Sequence, residues 1–194
     1  MGQELELKYR ATPDALNAIR AAFPGDYTEF RMETTYYDTP DRGLSSRHWT
    51  LRCRRENDTY ICTLKTPTDD PGIRGEWETE CDDILTAIPL LAAKSGLGQL
   101  ITFTAGGIIP TCGAKFTRLA LPVALANGMA ELALDQGVLI NGAKELPFAE
   151  MELELKSGDP EELKATARFI ARKFGLEHEK KSKFARARLL GGEE

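Results

Sequence analysis

The chain has 194 residues, 42% of them hydrophobic and 28% charged, with a formal net charge of −5. A chain of this size buries roughly 70% of the surface its unfolded form exposes, so a full core is within reach without disulfide or metal staples. The excess of acid excludes a global basic field that would draw in nucleic acid or a membrane surface.

Cys53, Cys62, Cys81 and Cys112 show no CxxC spacing and read as small thiols in a reducing compartment. His48 and His178 are the only histidines, which argues against a histidine metal site or a Ser-His-Asp triad. The opening MGQELELK lacks the basic start and apolar run of a secretion signal, and no stretch approaches the ~18 apolar residues of a membrane span. A cytoplasmic protein is expected.

In chain order, residues 3–9 alternate, with Glu4, Glu6 and Lys8 on one side and Leu5 and Leu7 on the other. Thr12-Pro13 predicts the cap and first turn of a helix with Leu16 and Ile19 on one face. Residues 31–38 read as a strand, 40–43 as a turn, 48–55 and 59–66 as a hairpin, and 74–81 as another alternating strand. Asp82 or Asp83 caps a helix running to about residue 94 and stopped by Gly96 and Gly98. Residues 113–125 and 129–136 form a hairpin at Asn127-Gly128, and Asn141-Gly142 turns the chain into a strand over 146–156. Asp159-Pro160 opens a helix ending at Phe174 before Gly175, residues 181–190 form a last short helix, and 191–194 a disordered tail. The fold class is α+β: about eight strands, mostly antiparallel, able to close into a barrel with helices packed outside. Residues 1–190 would form one domain.

The chemistry lies in the polar faces. Glu4, Glu6 and Lys8 share one; so do Arg52 and Arg54, Thr63 and Lys65, Glu76, Glu78 and Glu80, Glu131 and Asp135, and Glu150, Glu152 and Glu154. Strand by strand this is also the pattern of a half-solvated sheet. Taken together, acids stand in line on some strands and arginines on another, and like charges two apart want counter-ions. If the apolar sides lie outward under helices, the charged sides line a lumen. Clustered carboxylates suit hard cations such as Mg²⁺ or Mn²⁺, and arginine and lysine suit phosphate. Acid and base in one cavity therefore read as metal plus polyphosphate.

Glu4-Leu5-Glu6-Leu7-Lys8 resembles the ExExK signature that opens CYTH proteins, the triphosphate tunnel metalloenzymes. Tyr36-Tyr37-Asp38-Thr39, Leu51-Arg52-Cys53-Arg54, Thr63-Leu64-Lys65 and Arg74-Gly75-Glu76-Trp77-Glu78 resemble further segments of that family. Arg118, Leu134-Asp135, Glu150/Glu152/Glu154 and Ser182-Lys183 follow in the family's order. The resemblance spans residues 1 to about 190, and 133–137 and 152–159 look especially like bacterial inorganic triphosphatases.

It implies an eight-stranded closed antiparallel β-barrel, the triphosphate tunnel. By that analogy Lys8, Arg52, Arg54, Lys65, Arg118 and Lys183 bind phosphate oxygens. Glu4, Glu6, Glu76, Asp135, Glu150, Glu152 and Glu154 supply metal sites for Mg²⁺ or Mn²⁺, one ion on the phosphates and a second on water, with Glu4, Glu6 and Lys8 as the catalytic set. Glu78 and Glu131 are further candidates, and any of these side chains could instead form an inward salt bridge that holds the barrel open.

The implied function is metal-dependent hydrolysis of inorganic triphosphate to diphosphate and phosphate. A triphosphate-containing small molecule would be the partner, with no nucleic acid and no membrane. A CYTH-type adenylate cyclase, a thiamine triphosphatase and a non-catalytic polyphosphate- or nucleotide-binding module are the alternatives; the full acid set favours catalysis over the module. Glu4→Gln or Glu152→Gln is expected to abolish turnover with the fold intact.

Overall fold

The computed structural model describes the backbone of residues 2–69 and 73–192 and, within those ranges, the side chains from Leu5 onward. The alternating first segment is extended but interrupted: β1 (Gly2–Glu4) and β2 (Glu6–Arg10) part at Leu5. Thr12 caps α1 (Pro13–Ala22), its hydroxyl accepting from the Ala15 amide at 3.1 Å, and Leu16 and Ile19 are buried as the spacing predicts. Four strands follow: β3 (Thr28–Asp38), β4 (Thr50–Glu56), β5 (Thr59–Pro67) and β6 (Arg74–Glu80). Asp83 caps α2 (Ile84–Ser95), which ends where Gly96 takes a φ of 73°. A short α3 (Gln99–Thr104) follows, where the sequence reads only as a helix stop.

Three long strands come next: β7 (Ile109–Leu125), β8 (Gly128–Asn141) and β9 (Lys144–Ser157). Then α4 (Pro160–Phe174) runs from the Asp159 cap to Gly175, which has a φ of 65°. The chain finishes with β10 (Glu177–His178) and α5 (Lys183–Leu190), capped by Ser182. In the expected tail, Gly191 and Gly192 form a turn after α5, and residues 193–194 lie outside the described residues. Among the described residues no helix is long and apolar enough to cross a membrane.

The strands form one sheet, ordered β1-β6-β5-β4-β3-β7-β8-β9-β2-β10, and every pairing is antiparallel. Ten strands are described, where about eight were expected. The first strand is split at Leu5, and Glu177–His178 adds a short edge. The hydrogen-bonded sheet is open, not the closed ring expected from the sequence. β1 pairs with β6 (Gly2↔Glu76) while β2 pairs with β9 (Glu6↔Glu154), so the two halves of one segment serve opposite sides of the ladder.

Two apolar clusters lie on the outer face. Leu16, Ile19, Leu163 and Ile170 of α1 and α4 cover Leu132, Leu134, Met151 and Leu153. Leu91 of α2 and Leu100 of α3 cover Leu51 and Leu64. The third cluster departs from the expectation that helices pack outside: Phe184 and Ala187 of α5 pack against Met32, Tyr36, Phe116 and Phe148, on the face that also carries Arg52, Arg54 and Glu150. The reason is local. Those four residues break the run of charges with an apolar patch, and α5 covers it.

Two glycines are set by close approach. The β7–β8 turn uses Ala126-Asn127, held by the Glu162 carboxylate, and Gly128 opens β8 because a Cβ there would fall 2.1 Å from the Ser157 carbonyl oxygen. At Gly137 a Cβ would fall 2.1 Å from the Lys115 carbonyl oxygen and 2.5 Å from Phe116. Gly137→Ala is therefore expected to push β7 and β8 apart and to cost about 1–3 kcal/mol, read from a shift in the urea midpoint; an unchanged midpoint would show that the ladder yields freely there.

Candidate functional site

Directly opposed residues of antiparallel strands point to the same face, so the ladder register aligns the polar faces into rows. Glu6, Glu154 and Glu131 form one row across β2, β9 and β8. Lys8 and Glu152 form the next, and Glu150, Asp135 and Arg118 the third. On the other wall Arg52 stands in line with Thr63 and Glu78, and Lys65 with Glu76. Apart from the buried Thr63, Asp135 and Glu150, these residues line a cavity of ≈ 630 Å³, with Arg54 on its wall and Lys183 and Phe184 of α5 closing in from one side.

The innermost part is a buried ion network. The Arg118 guanidinium donates to both Asp135 oxygens, at 2.8 and 2.7 Å, and also to Glu152. The Lys183 ammonium lies 2.7 Å from Asp135 and 2.8 Å from Glu152 and also pairs with Glu150, which Arg186 holds from its other oxygen. Asp135 and Glu150 are fully buried. Burial alone would push the Glu152 carboxyl up, but Lys183, Arg118 and Lys8 outweigh it and hold the group well below the usual carboxylate range. Glu150 goes the other way: burial raises it, Lys183 offsets part of that, and Glu152 adds to it. Burial pulls the Lys8 ammonium down, yet Glu6 at 2.9 Å and Glu152 at 3.8 Å keep it above its ordinary value.

The facing wall pairs three cations with three glutamates. Lys65 reaches Glu76 at 3.2 Å, and Arg52 reaches Glu76 at 3.6 Å and Glu78 at 3.7 Å. Arg54 pairs with Glu56, but its buried Nε has no hydrogen-bond partner. Burial, then Arg52, and further Arg118 across the cavity press the Arg54 guanidinium below its ordinary value despite Glu56. Arg52 and Arg118, the two guanidiniums that disfavour the charge on Arg54, line the same cavity, and such a cluster of forks suits a multivalent anion.

A model of the CYTH domain matches residues 2–187. The chain belongs to the CYTH family. It is 32% identical over 168 residues to an inorganic triphosphatase of Haemophilus influenzae; the match covers 84% of this chain and 48% of that protein, so the chain spans about half that relative's length. Among solved structures it resembles HpAC1 of Hippeastrum, named as an adenylyl cyclase with a dominant triphosphatase activity. The TM-score is 0.69 at 22% identity, covering 100% of this chain and 97% of that one. It also resembles the PH1819 protein of Pyrococcus horikoshii, with a TM-score of 0.66 at 21% identity, covering 97% and 99% of the two chains. At these identities the two structures speak for the fold.

Within this CYTH fold, the candidates read from sequence are distributed unevenly. Glu6, Lys8, Arg52, Arg54, Lys65, Glu76, Glu78, Arg118, Glu131, Glu152, Glu154 and Lys183 line the one cavity. Asp135 and Glu150 lie beneath it, joined through Lys183. The backbone of Glu4 pairs with Arg74, and its side chain lies outside the described residues. Lys115 is on the outer face, paired with Glu33 at 2.7 Å, and Glu80 is exposed. Tyr36 points inward, its ring 5.0 Å from Phe184, and Tyr37 packs outward beside Trp49 and Trp77.

Sequence reasoning missed Arg186 and Lys156. Arg186 sits three residues after Lys183 on α5, so helical spacing marks it as a neighbour on the same face. Lys156 continues the Glu150/Glu152/Glu154 face and lies 2.8 Å from Glu154 and 3.8 Å from Glu131. Lys180 and Lys181 line the cavity as well, and the last helix, expected from residue 181, begins only after them at Lys183.

Two carboxylate groups could attract a cation, and they differ. Oxygens of Asp135, Glu150 and Glu152 lie within 4.8 Å of one another, but the Lys183 ammonium is already shared among all three. In the row Glu6–Glu154–Glu131 the carboxylates directly oppose one another, and their side chains are 22%, 26% and 31% exposed. That row is paired too, Glu6 with Lys8 at 2.9 Å and Glu154 with Lys156 at 2.8 Å, but each of its carboxylates is partly solvated and could turn an oxygen to a hard divalent cation.

Proposed function

We propose that this CYTH chain hydrolyses inorganic triphosphate to diphosphate and phosphate, with Mg²⁺ or Mn²⁺, inside a lumen that its strands enclose as a tunnel. The split first strand, pairing toward both sides of the ladder, supports closure. The same reading takes residues 1–190 as one tunnel domain working in the cytoplasm. The carrying observation is the convergence of Arg52 and Arg54 from one wall, and Arg118 from the other, on a cavity that a row of partly solvated glutamates also lines. The likeness to the Haemophilus influenzae triphosphatase points the same way.

In this reading the guanidinium forks of Arg52 and Arg54, with Lys65, hold the non-bridging phosphate oxygens. Lys8, Arg118 and Lys183 meet the remaining phosphate charge from the opposite wall. Glu6, Glu131 and Glu154, with Glu152 next to them and Glu4 as the further ligand expected from the ExExK resemblance, would hold a pair of divalent ions. When bound, such ions neutralise phosphate charge and activate the attacking water. Fixed cations aimed at the departing diphosphate need no reorganisation as charge develops there.

Phosphate release from inorganic triphosphate, ATP, thiamine triphosphate and long-chain polyphosphate, each with Mg²⁺, Mn²⁺ or chelator, tests the reading. Rapid, chelator-sensitive release from triphosphate with little from ATP is expected. Preference for an organic triphosphate would replace the substrate, and no release from any of them would sink the hydrolase. Arg54→Met should lower kcat/KM for triphosphate by about 100-fold, as loss of charge-assisted phosphate contacts requires.

A further inference from the structure

The strand that lines the lumen has a second face. On β2, Glu6 and Lys8 point into the cavity, while Leu7 and Tyr9 point away from it, toward α4. There, β2, α4 and the segment leading to β10 enclose a separate cavity of ≈ 580 Å³. Its floor is apolar, made by Leu7, Tyr9, Ala171 and Leu176, and the His178 ring stands over it, 5.4 Å from the Tyr9 ring at 55°. Its rim is basic: Lys164, Arg168 and Arg172 recur every four residues along one face of α4.

The stripe is not balanced by the protein. Lys164 pairs with Glu161 at 2.7 Å, but among the described residues neither Arg168 nor Arg172 has a carboxylate within ion-pair distance. Like charges four apart on a helix disfavour it, and this chain is acidic overall, with 30 acids to 25 bases. Two guanidiniums left without carboxylates beside an apolar hollow make a fitting place for an anion with an apolar body. The volume lies within the range of small-molecule sites.

We propose that this outer hollow binds a nucleotide, its flat ring against the exposed His178 imidazole, which the buried Tyr9 ring backs, and its phosphate on Arg168 and Arg172. The assignment does not depend on the triphosphatase reading. AMP, which lacks a triphosphate, is the probe, titrated calorimetrically into the full chain in chelator. Saturable binding is expected, weakened at least about tenfold in Arg168→Glu/Arg172→Glu, which loses two charge-assisted contacts. Binding should persist in Arg54→Met, and the double variant should release phosphate from triphosphate at the native rate.

Loss of AMP binding in Arg54→Met with retention in the double variant would place AMP in the lumen and overturn the proposal. Inorganic phosphate binding as tightly as AMP would overturn the ring contact, and no saturation by several millimolar AMP would overturn the site. If the glutamate variant does not fold, Arg168→Gln/Arg172→Gln provides the same reading.

Discussion

Lys183→Met is expected to destabilise the protein by about 3–5 kcal/mol at neutral pH, the cost of removing one partner from a buried charge network. The ammonium is shared by Asp135, Glu150 and Glu152, and the fully buried Asp135 and Glu150 would have to find charge elsewhere. Arg118 and Arg186 remain, so folding at low temperature should survive.

The defect should depend on pH. In the native chain Glu152 lies below its unfolded value, so its contribution is present above that value and is lost as pH falls through the folded one. Glu150 is raised, so its ionisation costs stability, and protonation on acidification relieves that cost. Without Lys183 more of that cost is exposed, and the gap between variant and native protein should narrow from pH 7 toward pH 5. Urea denaturation across that range measures it. A loss under about 1 kcal/mol would mean that the carboxylates are in effect solvated.

Glu6→Gln should do the reverse, lowering metal-dependent phosphate release by about 1000-fold while moving the thermal midpoint little. The Glu6 side chain is 22% exposed, and Lys8 keeps Glu152 at 3.8 Å when Glu6 is neutralised. Glu152→Gln, a natural choice from sequence, is a poorer test. It would remove a charge that meets Lys8, Arg118 and Lys183, so lost activity could not be separated from a loosened core. Full activity in Glu6→Gln, across a Mg²⁺ and Mn²⁺ titration, would remove the glutamate row from the mechanism.

The sequence made the outline legible because two local rules suffice for most of it. Period-2 alternation sorted Glu150, Glu152 and Glu154 from Met151, Leu153 and Leu155, and the caps Thr12, Asp83, Asp159 and Ser182 start helices where side-chain oxygens are available. What it hid depends on partners distant in the chain. Nothing in ELELK says that Leu5 divides the segment between two neighbours. Alternation also cannot say which lysine an acid meets: Glu150 and Glu154 share a face, but a helix some thirty residues on, carrying Lys183 and Arg186, makes the first a buried ion pair, while the second pairs with Lys156 of its own strand and stays partly solvated. Gly128 reads as a turn residue in sequence, yet it opens β8 where the Ser157 carbonyl leaves no room for a Cβ.

The division of the first segment between β6 and β9 also bears on how the molecule comes into being. The ladder partner of Glu6, Glu154, emerges 148 positions after it during synthesis. At roughly 5–20 residues per second of synthesis, the opening strand waits many seconds as an unpaired edge. Closing so long a loop comes late in folding. Until then Leu5 and Leu7 have neither β9 nor α4 over them, and the nascent chain is at its most exposed to proteases, chaperones and other chains.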